Sequence, residues 1–277
     1  LFVSQPNLSA TVREVEEELG ITVFMRNNRG ITVTAEGEEF LGYAKQVVEQ
    51  YHLLENRYLN VESKKKFSVS MQHYSFAVKA FVQLAKEVGM DEYEFAVHET
   101  KTKEVIDNVK NLKSEIGVLY LSDFNEKVLR KLFKECDIEF KELFTCNTYV
   151  YLWKKHPLAG KKVITLDDLQ EYPCLTFEQG VNNSFYYAEE MMSTYEYKRV
   201  IKADDRATML NLMVGLNGFT LCSGIISEDL NGDDYAAIPL KESEKMHIGY
   251  IKHKGTKLSK LGEIYIDALK NYENKVL

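Results

Sequence analysis

Ser4-Gln5-Pro6-Asn7-Leu8-Ser9-Ala10-Thr11-Val12-Arg13-Glu14-Val15-Glu16 is the stretch whose reading decides the fold. Ser4 is a favourable N-cap, and Pro6 stands where a helix start tolerates a missing N–H and gains from a preset φ. Leu8, Val12, Val15 and Leu19 then recur at steps of four, three and four, one apolar stripe of a helix. Beside the stripe stand Gln5, Asn7, Ser9 and Arg13. A helix anchored along one side, with short polar groups and a guanidinium on the other, suits a DNA major groove. An ordinary amphipathic surface helix carries the same pattern, so the residues that follow have to arbitrate.

Gly20 is placed as a C′ residue that ends the helix. Ile21 to Met25 alternates as a short strand, Arg26-Asn27-Asn28-Arg29-Gly30 has the make-up of a hairpin turn, and Ile31-Thr32-Val33 reads as the returning strand. Thr34 offers the next N-cap, with Gly37 three residues on. Helix, hairpin, helix is the layout of a winged helix-turn-helix.

The run Val3-Ser4-Gln5-Pro6, Leu8-Ser9, Arg13, Glu16, Leu19-Gly20, Phe24, Arg26, Gly30, Thr34 and Gly37 resembles, in order and spacing, the N-terminal domain of LysR-type transcriptional regulators. Members of that family have helices upstream of the position of Leu1, so the chain is expected to start inside the motif. Ala10 departs from the pattern, standing where many members carry a basic residue. The resemblance implies double-stranded DNA as a partner. Gln5, Ser9 and Arg13 are then expected at base edges, and Ser4, Arg26 and Arg29 at the backbone or minor groove, with Pro6, Asn7 and Thr34 completing the DNA-binding set.

Composition agrees with a well-cored regulator and sets one objection. The 277 residues suggest two or three domains, and 45% apolar content with four prolines excludes a disordered chain. No apolar run is long enough to cross a bilayer, and Leu1 opens no signal-peptide pattern, so a cytoplasmic protein with no membrane partner is expected. Cys136, Cys146, Cys174 and Cys222 form no close pair and read as reduced core thiols. The six histidines lack metal-ligand spacing, so neither metal nor cofactor is expected. The objection is charge. The chain carries −7, and residues 1–34 hold three arginines against four glutamates, a net of −1, whereas phosphate neutralisation supplies much of DNA affinity. Glu16 to Glu18 lie at the end of the helix away from the groove, and a dimer doubles every arginine contact.

From Ala35 to Val61 the residues Phe40, Ala44, Val47, Tyr51, Leu54, Tyr58 and Val61 alternate at steps of four and three, the period of a coiled-coil seam. A helix packed on its own chain's core has the same stripe. The family resemblance implies the first reading, a linker helix that pairs two subunits through Phe40, Ala44, Val47, Tyr51, Leu54 and Tyr58. Asn60 to Lys66 is polar and reads as a hinge.

Beyond Phe67 strands and helices alternate, which points to a parallel sheet with right-handed crossovers. Strands are expected at Phe67–Met71, Tyr93–His98 and Glu115–Leu121, with helices at Phe76–Glu87 and about Thr102–Leu112. A second set begins near Thr148 with a strand at Tyr149–Trp153. It continues with a short capped helix at Thr165–Leu169, a strand at Cys174–Phe177 and a helix at Ser184–Met192. A strand at Arg199–Lys202 and a helix at Ala207–Val214 follow. Strands at Phe219–Cys222, Tyr235–Pro239 and Met246–Lys252 precede a closing helix at Lys257–Tyr272. The resemblance, carried here by Glu115-Ile116-Gly117-Val118, His156-Pro157-Leu158-Ala159, Leu166-Asp167-Asp168-Leu169 and Gly215-Leu216-Asn217-Gly218, implies a two-lobed effector domain like that of periplasmic solute-binding proteins. The expected organisation is thus an α/β protein with a winged helix-turn-helix (1–34), a linker helix (35–61) and a periplasmic-binding-protein-like effector domain (67–277). Lobe one would take 67–146 and 247–277, and lobe two 147–246.

Ligands of open α/β sheets bind beyond the carboxyl ends of strands, where helix N-termini offer N–H groups. Four loops qualify: His73, Tyr74 and Ser75; Thr100 and Thr102; Asn182, Asn183 and Ser184; and Asp204, Asp205 and Arg206. Thr102 also matches the family's recurrent pocket hydroxyl. Such groups suit a small polar effector that is anionic or bears a carboxylate. Helix capping by Ser75, Thr102 and Ser184, packing of the His73 and Tyr74 rings, and a surface ion pair of Asp204 with Arg206 explain the same residues without a ligand. No nucleophile elbow, phosphate loop or His-Cys arrangement marks an enzyme. Two functions stay in play: a ligand-responsive DNA-binding regulator forming homodimers that pair into homotetramers, and a receptor or enzyme dimerised by its helical N-terminus.

Overall fold

α1 spans Gln5–Leu19 and stops where Gly20 takes a positive φ of 68°, a conformation open to glycine without steric cost. The computed structural model describes residues 5–27, 30–58, 64–89, 92–182, 184–226, 230 and 232–273, and the chain divides into two units, Leu1–Ser63 and Lys64–Leu277. In the first unit β1 (Phe24–Asn27) pairs antiparallel with β2 (Gly30–Val33), from Phe24 opposite Val33 to Asn27 opposite Gly30, and α2 runs from Ala35 to Tyr58. Val61, the last seam position, lies outside the described residues.

Two side chains lock this unit. Glu16 Oε1 accepts the backbone N–H of Val23 (2.7 Å) and of Phe24 (2.9 Å), tying the last turn of α1 to the hairpin. Thr34 donates its N–H to the Val23 carbonyl (3.0 Å) and its hydroxyl to the Thr22 carbonyl, and its oxygen accepts the Gly37 N–H (2.9 Å), so it caps α2 as its position suggested. Gly37 is held by contact as well, because a Cβ there would lie 2.3 Å from the Val23 carbonyl oxygen. The apolar stripe of α1 is covered less than its sequence leads one to expect. Val12 and Val15 are half-buried, but Leu8 and Leu19 are 53% and 52% exposed.

The second unit runs β3 (Lys65–Met71), α3 (Ser75–Val88), β4 (Tyr93–Glu99), α4 (Thr102–Lys110), β5 (Ile116–Leu121), α5 (Glu126–Glu135) and β6 (Ile138–Cys146). Then come β7 (Tyr149–Trp153), α6 (Leu166–Leu169), β8 (Cys174–Phe177), β9 (Val200–Ala203), α7 (Arg206–Leu216), β10 (Thr220–Cys222) and β11 (Tyr235–Pro239). β12 (Met246–His253) and α8 (Lys260–Lys270) close it. One sheet has the order β4-β3-β5-β12-β6, and β5 within it is buried throughout. α3 and α8 cover one face through Phe76, Leu84 and Tyr265, whose hydroxyl donates to the Ala77 carbonyl (3.1 Å). α4 and α5 cover the other through Ile106, Leu129 and Phe133. The later elements form an antiparallel sheet of order β10-β7-β11 and a parallel β8-β9 pair, over which Met209 and Met213 of α7 pack.

Several expectations are corrected. The large sheet is mixed, not parallel: β12 is antiparallel to both β5 and β6, since it returns from β11 without a helical crossover. α5 and β6 were not anticipated at all. Ser184–Met192 is not a helix but a single 3₁₀ turn at Phe185–Tyr187 followed by irregular backbone, for reasons that lie in the cavity described next. Lys65 and Lys66 belong to β3 and not to a hinge, pairing with Tyr93 and Glu94 of β4. Thr165 does cap its short helix, in a full capping box with Asp168. No helix among the described residues is long and apolar enough to cross a membrane.

Candidate functional site

The loop leaving β3 organises the interior of the second unit. Gln72 accepts the Tyr74 hydroxyl (2.9 Å) and the Tyr120 N–H (3.2 Å) on its carbonyl, and its amide donates to Thr102 Oγ1 (2.6 Å). Thr102 in turn donates its hydroxyl to the Tyr187 carbonyl (2.7 Å) and its N–H to Gln179 Oε1 (3.1 Å). Gln179 Nε2 donates to Glu189 Oε1 (2.9 Å), while Glu189 Oε2 accepts the His73 N–H (2.9 Å) and lies 2.8 Å from His73 Nδ1. This chain of bonds clasps the ends of β3 and α4 to the segment that follows β8. It also explains why Ser184–Met192 is not helical. Glu189 and Glu190 point inward at 6% and 5% exposure, and that is incompatible with the solvated face a surface helix would give them.

Against this clasp opens a cavity of about 90 Å³, room for several waters or a small organic molecule. Its walls are mainly apolar, with Phe76, Phe177, Met209, Met213, Leu221 and Met246 prominent. Its polar lining includes His73, Ser75, Glu189, Glu190, Arg206 and Thr220. The His73 ring stacks on Phe177 with centroids 3.6 Å apart. Glu190 Oε1 accepts the Phe177 N–H (2.9 Å), yet burial, then the neighbouring Glu189, push its carboxyl up to about 8. Thr220 Oγ1 is buried with no hydrogen-bond partner. Cys222 also lines the cavity, and burial raises its thiol to about 12, which keeps it protonated and a poor nucleophile.

Of the effector residues expected from sequence, His73, Tyr74, Ser75 and Arg206 meet at this cavity. Thr102 does not line it, being consumed in the clasp. Thr100 bonds Glu104 instead, Ser184 caps the 3₁₀ turn, and Asp205 caps α7 by accepting the Thr208 N–H (2.8 Å). Asn183 lies outside the described residues. Glu189, Glu190, Phe177 and Thr220 were missed. No sequence pattern marks a glutamate pair for burial, though Glu189-Glu190-Met191-Met192 does flank charge with large apolar groups. The balance of charge also differs from the anion-favouring site those loops suggested. Arg206, the one lysine or arginine in the lining, is bonded to Glu99, and Asp205 already takes an N-terminal N–H of α7.

In the first unit Gln5, Pro6, Asn7 and Arg13 are exposed on α1 and Ser9 is half-exposed on the same helix. Thr34 is occupied in its cap. Ser4 and Arg29 lie outside the described residues, as do the side chains of Arg26 in β1 and Tyr58 in α2. Along α2, Phe40 and Ala44 are half-buried while Val47, Tyr51 and Leu54 are 69%, 57% and 57% exposed. Among the described residues no cluster of His, Cys, Asp or Glu could hold a metal ion.

A helix and antiparallel hairpin followed by an α/β unit with an internal cavity is the make-up of a DNA-binding protein that carries its own ligand domain. Residues 1–38 match the bacterial regulatory helix-turn-helix protein of the lysR family, and residues 90–273 match the LysR substrate binding domain. The chain belongs to the LysR family of transcriptional regulators: it has a DNA-binding helix-turn-helix and an effector-binding domain, and is not an enzyme. It is similar to the HTH-type transcriptional regulator CysL of Bacillus subtilis, 25% identical across 100% of this chain and 92% of that one. Full-length OxyR from Pseudomonas aeruginosa shares the fold, with a TM-score of 0.69 and 18% identity over 97% of this chain and 86% of that one. HinK, a LysR family regulator from Pseudomonas aeruginosa, shares it at a TM-score of 0.51 and 17% identity, covering 100% and 91%.

Proposed function

We propose that this chain is a cytoplasmic, ligand-responsive repressor or activator whose effector is a small molecule held in the cavity beside His73, Glu190 and Thr220. The observation that carries the reading is the cavity itself. It is lined both by the β3–α3 loop of the large sheet and by α7 and β10 of the second set, so a ligand there bridges lobe one (67–146 and 247–277) and lobe two (147–246). The buried, unpartnered Thr220 hydroxyl supports it, since such a group costs stability unless a ligand or water satisfies it.

At the other end of the chain, α1 enters the major groove with Gln5, Ser9 and Arg13 at base edges, and the β1–β2 hairpin serves as the wing. The linker helix (35–61) pairs two subunits along Val47, Tyr51 and Leu54, whose exposure in a single chain supports a partner helix. Pairs of dimers form the tetramer. Effector binding shifts the population between two arrangements of the DNA-binding domains by its differential affinity for them.

A thermal-shift screen of the full-length protein, followed by DNA-mobility assays with each stabilising compound, tests this function. A compound that raises Tm is expected to alter the protein–DNA complex. If every stabilising compound leaves the DNA complex unchanged, the coupling is wrong.

A further inference from the structure

The cavity carries enough electrostatic detail to name a class of ligand. Two carboxylates line it, Glu189 and Glu190, and both are more than nine-tenths buried. The His73 ring and the Arg206 guanidinium are already engaged, the first with Glu189 and the second with Glu99. The α7 N-terminus, otherwise a seat for an anion, is answered by Asp205. Glu189 is bonded on both oxygens, one by Gln179 and the other by His73. The Glu190 carboxyl meets backbone N–H groups, those of Phe177 (2.9 Å), Glu189 and Glu190 itself. Thr220, 94% buried, lines the same cavity with an unpartnered hydroxyl. The aromatic side chains of Phe76, Phe177 and Tyr151 also line the cavity.

We propose that this cavity binds a small organic cation, an amine with an apolar body, whose ammonium is taken by the Glu190 carboxylate and the Thr220 hydroxyl while its hydrocarbon lies against the methionines of α7. The proposal rests on the cavity being the effector site. A carboxylate ligand finds Arg206 already paired with Glu99.

Binding is coupled to a proton. Without a cation beside it Glu190 is a neutral acid at pH 7, with its carboxyl near 8, so an ammonium ion pairs with it only as the carboxyl proton leaves to solvent. The net change is one ion pair formed and a proton released from the carboxyl to solvent. The groups facing Glu190 are Glu189 on its own segment, His73 from the β3–α3 loop, Arg206 from α7, Tyr74 of the same loop, Tyr120 of β5, Cys174 of β8 and Tyr197 before β9. Burial drives the tyrosines and the thiol upward, so they stay neutral across the pH range used.

Isothermal titration of the full-length protein at pH 7 with pentylamine, pentanol and pentanoate, in two buffers of different ionisation enthalpy, decides the matter. Pentylamine is expected to bind at least about tenfold more tightly than pentanol, with pentanoate weakest and proton release seen only for the amine. Glu190→Gln should erase the amine preference and the proton release, and Thr220→Val should weaken the amine several-fold while leaving that release in place. Pentanoate binding as tightly as the amine, or equal affinities with no proton released, overturns the cation proposal and leaves the cavity an effector site. Failure of all three probes to bind overturns the effector reading as well. The wild-type comparison needs no variant to fold.

Discussion

Replacing Glu190 by Gln should change how the stability of the second unit depends on pH, by an amount that follows from its surroundings. The carboxyl is 5% exposed, and burial together with Glu189 lifts it from 4.5 to about 8. Between those values the unfolded chain has lost this proton and the folded chain keeps it. The folded state therefore binds more protons, and stability must fall as pH rises from 4.5 towards 8. At about 1.4 kcal/mol per pH unit, the wild-type protein should lose about 3 kcal/mol relative to Glu190→Gln between pH 5 and pH 7.5. Gln retains the oxygen that accepts the Phe177 N–H, and the other titrating groups are common to both proteins. Trp153, the chain's single tryptophan, lies in β7 of this unit and donates to Asn217 Oδ1 (2.9 Å), so its fluorescence during urea unfolding reports the right region. Parallel stability profiles for the two proteins would refute the reasoning. A wild type that gains on the variant as pH rises would do so more strongly, since it would mean an ionised and stabilised Glu190.

Other outcomes follow from single contacts. Gly37→Ala drives a methyl to 2.3 Å from the Val23 carbonyl oxygen, so it should cost the first unit about 1–3 kcal/mol and weaken DNA binding, read by circular dichroism and fluorescence anisotropy. Tyr265→Phe strips the Ala77 carbonyl of its buried donor and should lower stability by about 1 kcal/mol in urea titration. His156 uses both ring nitrogens, Nδ1 accepting the Leu158 N–H (3.0 Å) and Nε2 donating to the Asn217 carbonyl (2.9 Å), and burial lowers its pKa. The unfolded chain thus takes up this proton first and stability drops as pH falls below about 6.5; His156→Gln should flatten that acid limb in the same titration.

What could be read from the sequence was whatever is decided locally. Gly20 needs only its own φ, Thr34 and Thr165 need only the N–H groups three residues on, and Tyr149–Trp153 and Tyr235–Pro239 carry their strand character in consecutive residues. What escaped was set by distant partners. α5 buries only Leu129 and Phe133, and the consecutive Lys141 and Glu142 of β6 are both exposed, so neither shows a long apolar period. Ser184–Met192 has the composition of a helix, yet bonds from His73, Gln179 and Phe177 draw Glu189 and Glu190 inside and leave no room for one. The cavity was half legible for the same reason. His73, Tyr74, Ser75 and Arg206 sit where strand ends and helix starts place ligands, whereas the two glutamates are where a surface residue would be expected and only the fold turns them inward.

The central claim is that α1 reads DNA with the face bearing Arg13. Selection of bound duplexes from a random pool, with the full-length protein and its Arg13→Ala variant at matched salt, tests it most directly. The wild type should enrich dyad-symmetric sites whose half-sites lie a whole number of helical turns apart, multiples of roughly 10–10.5 base pairs, and the variant should lose that enrichment. No enrichment by the wild type, or the same motif recovered by the variant, would contradict it.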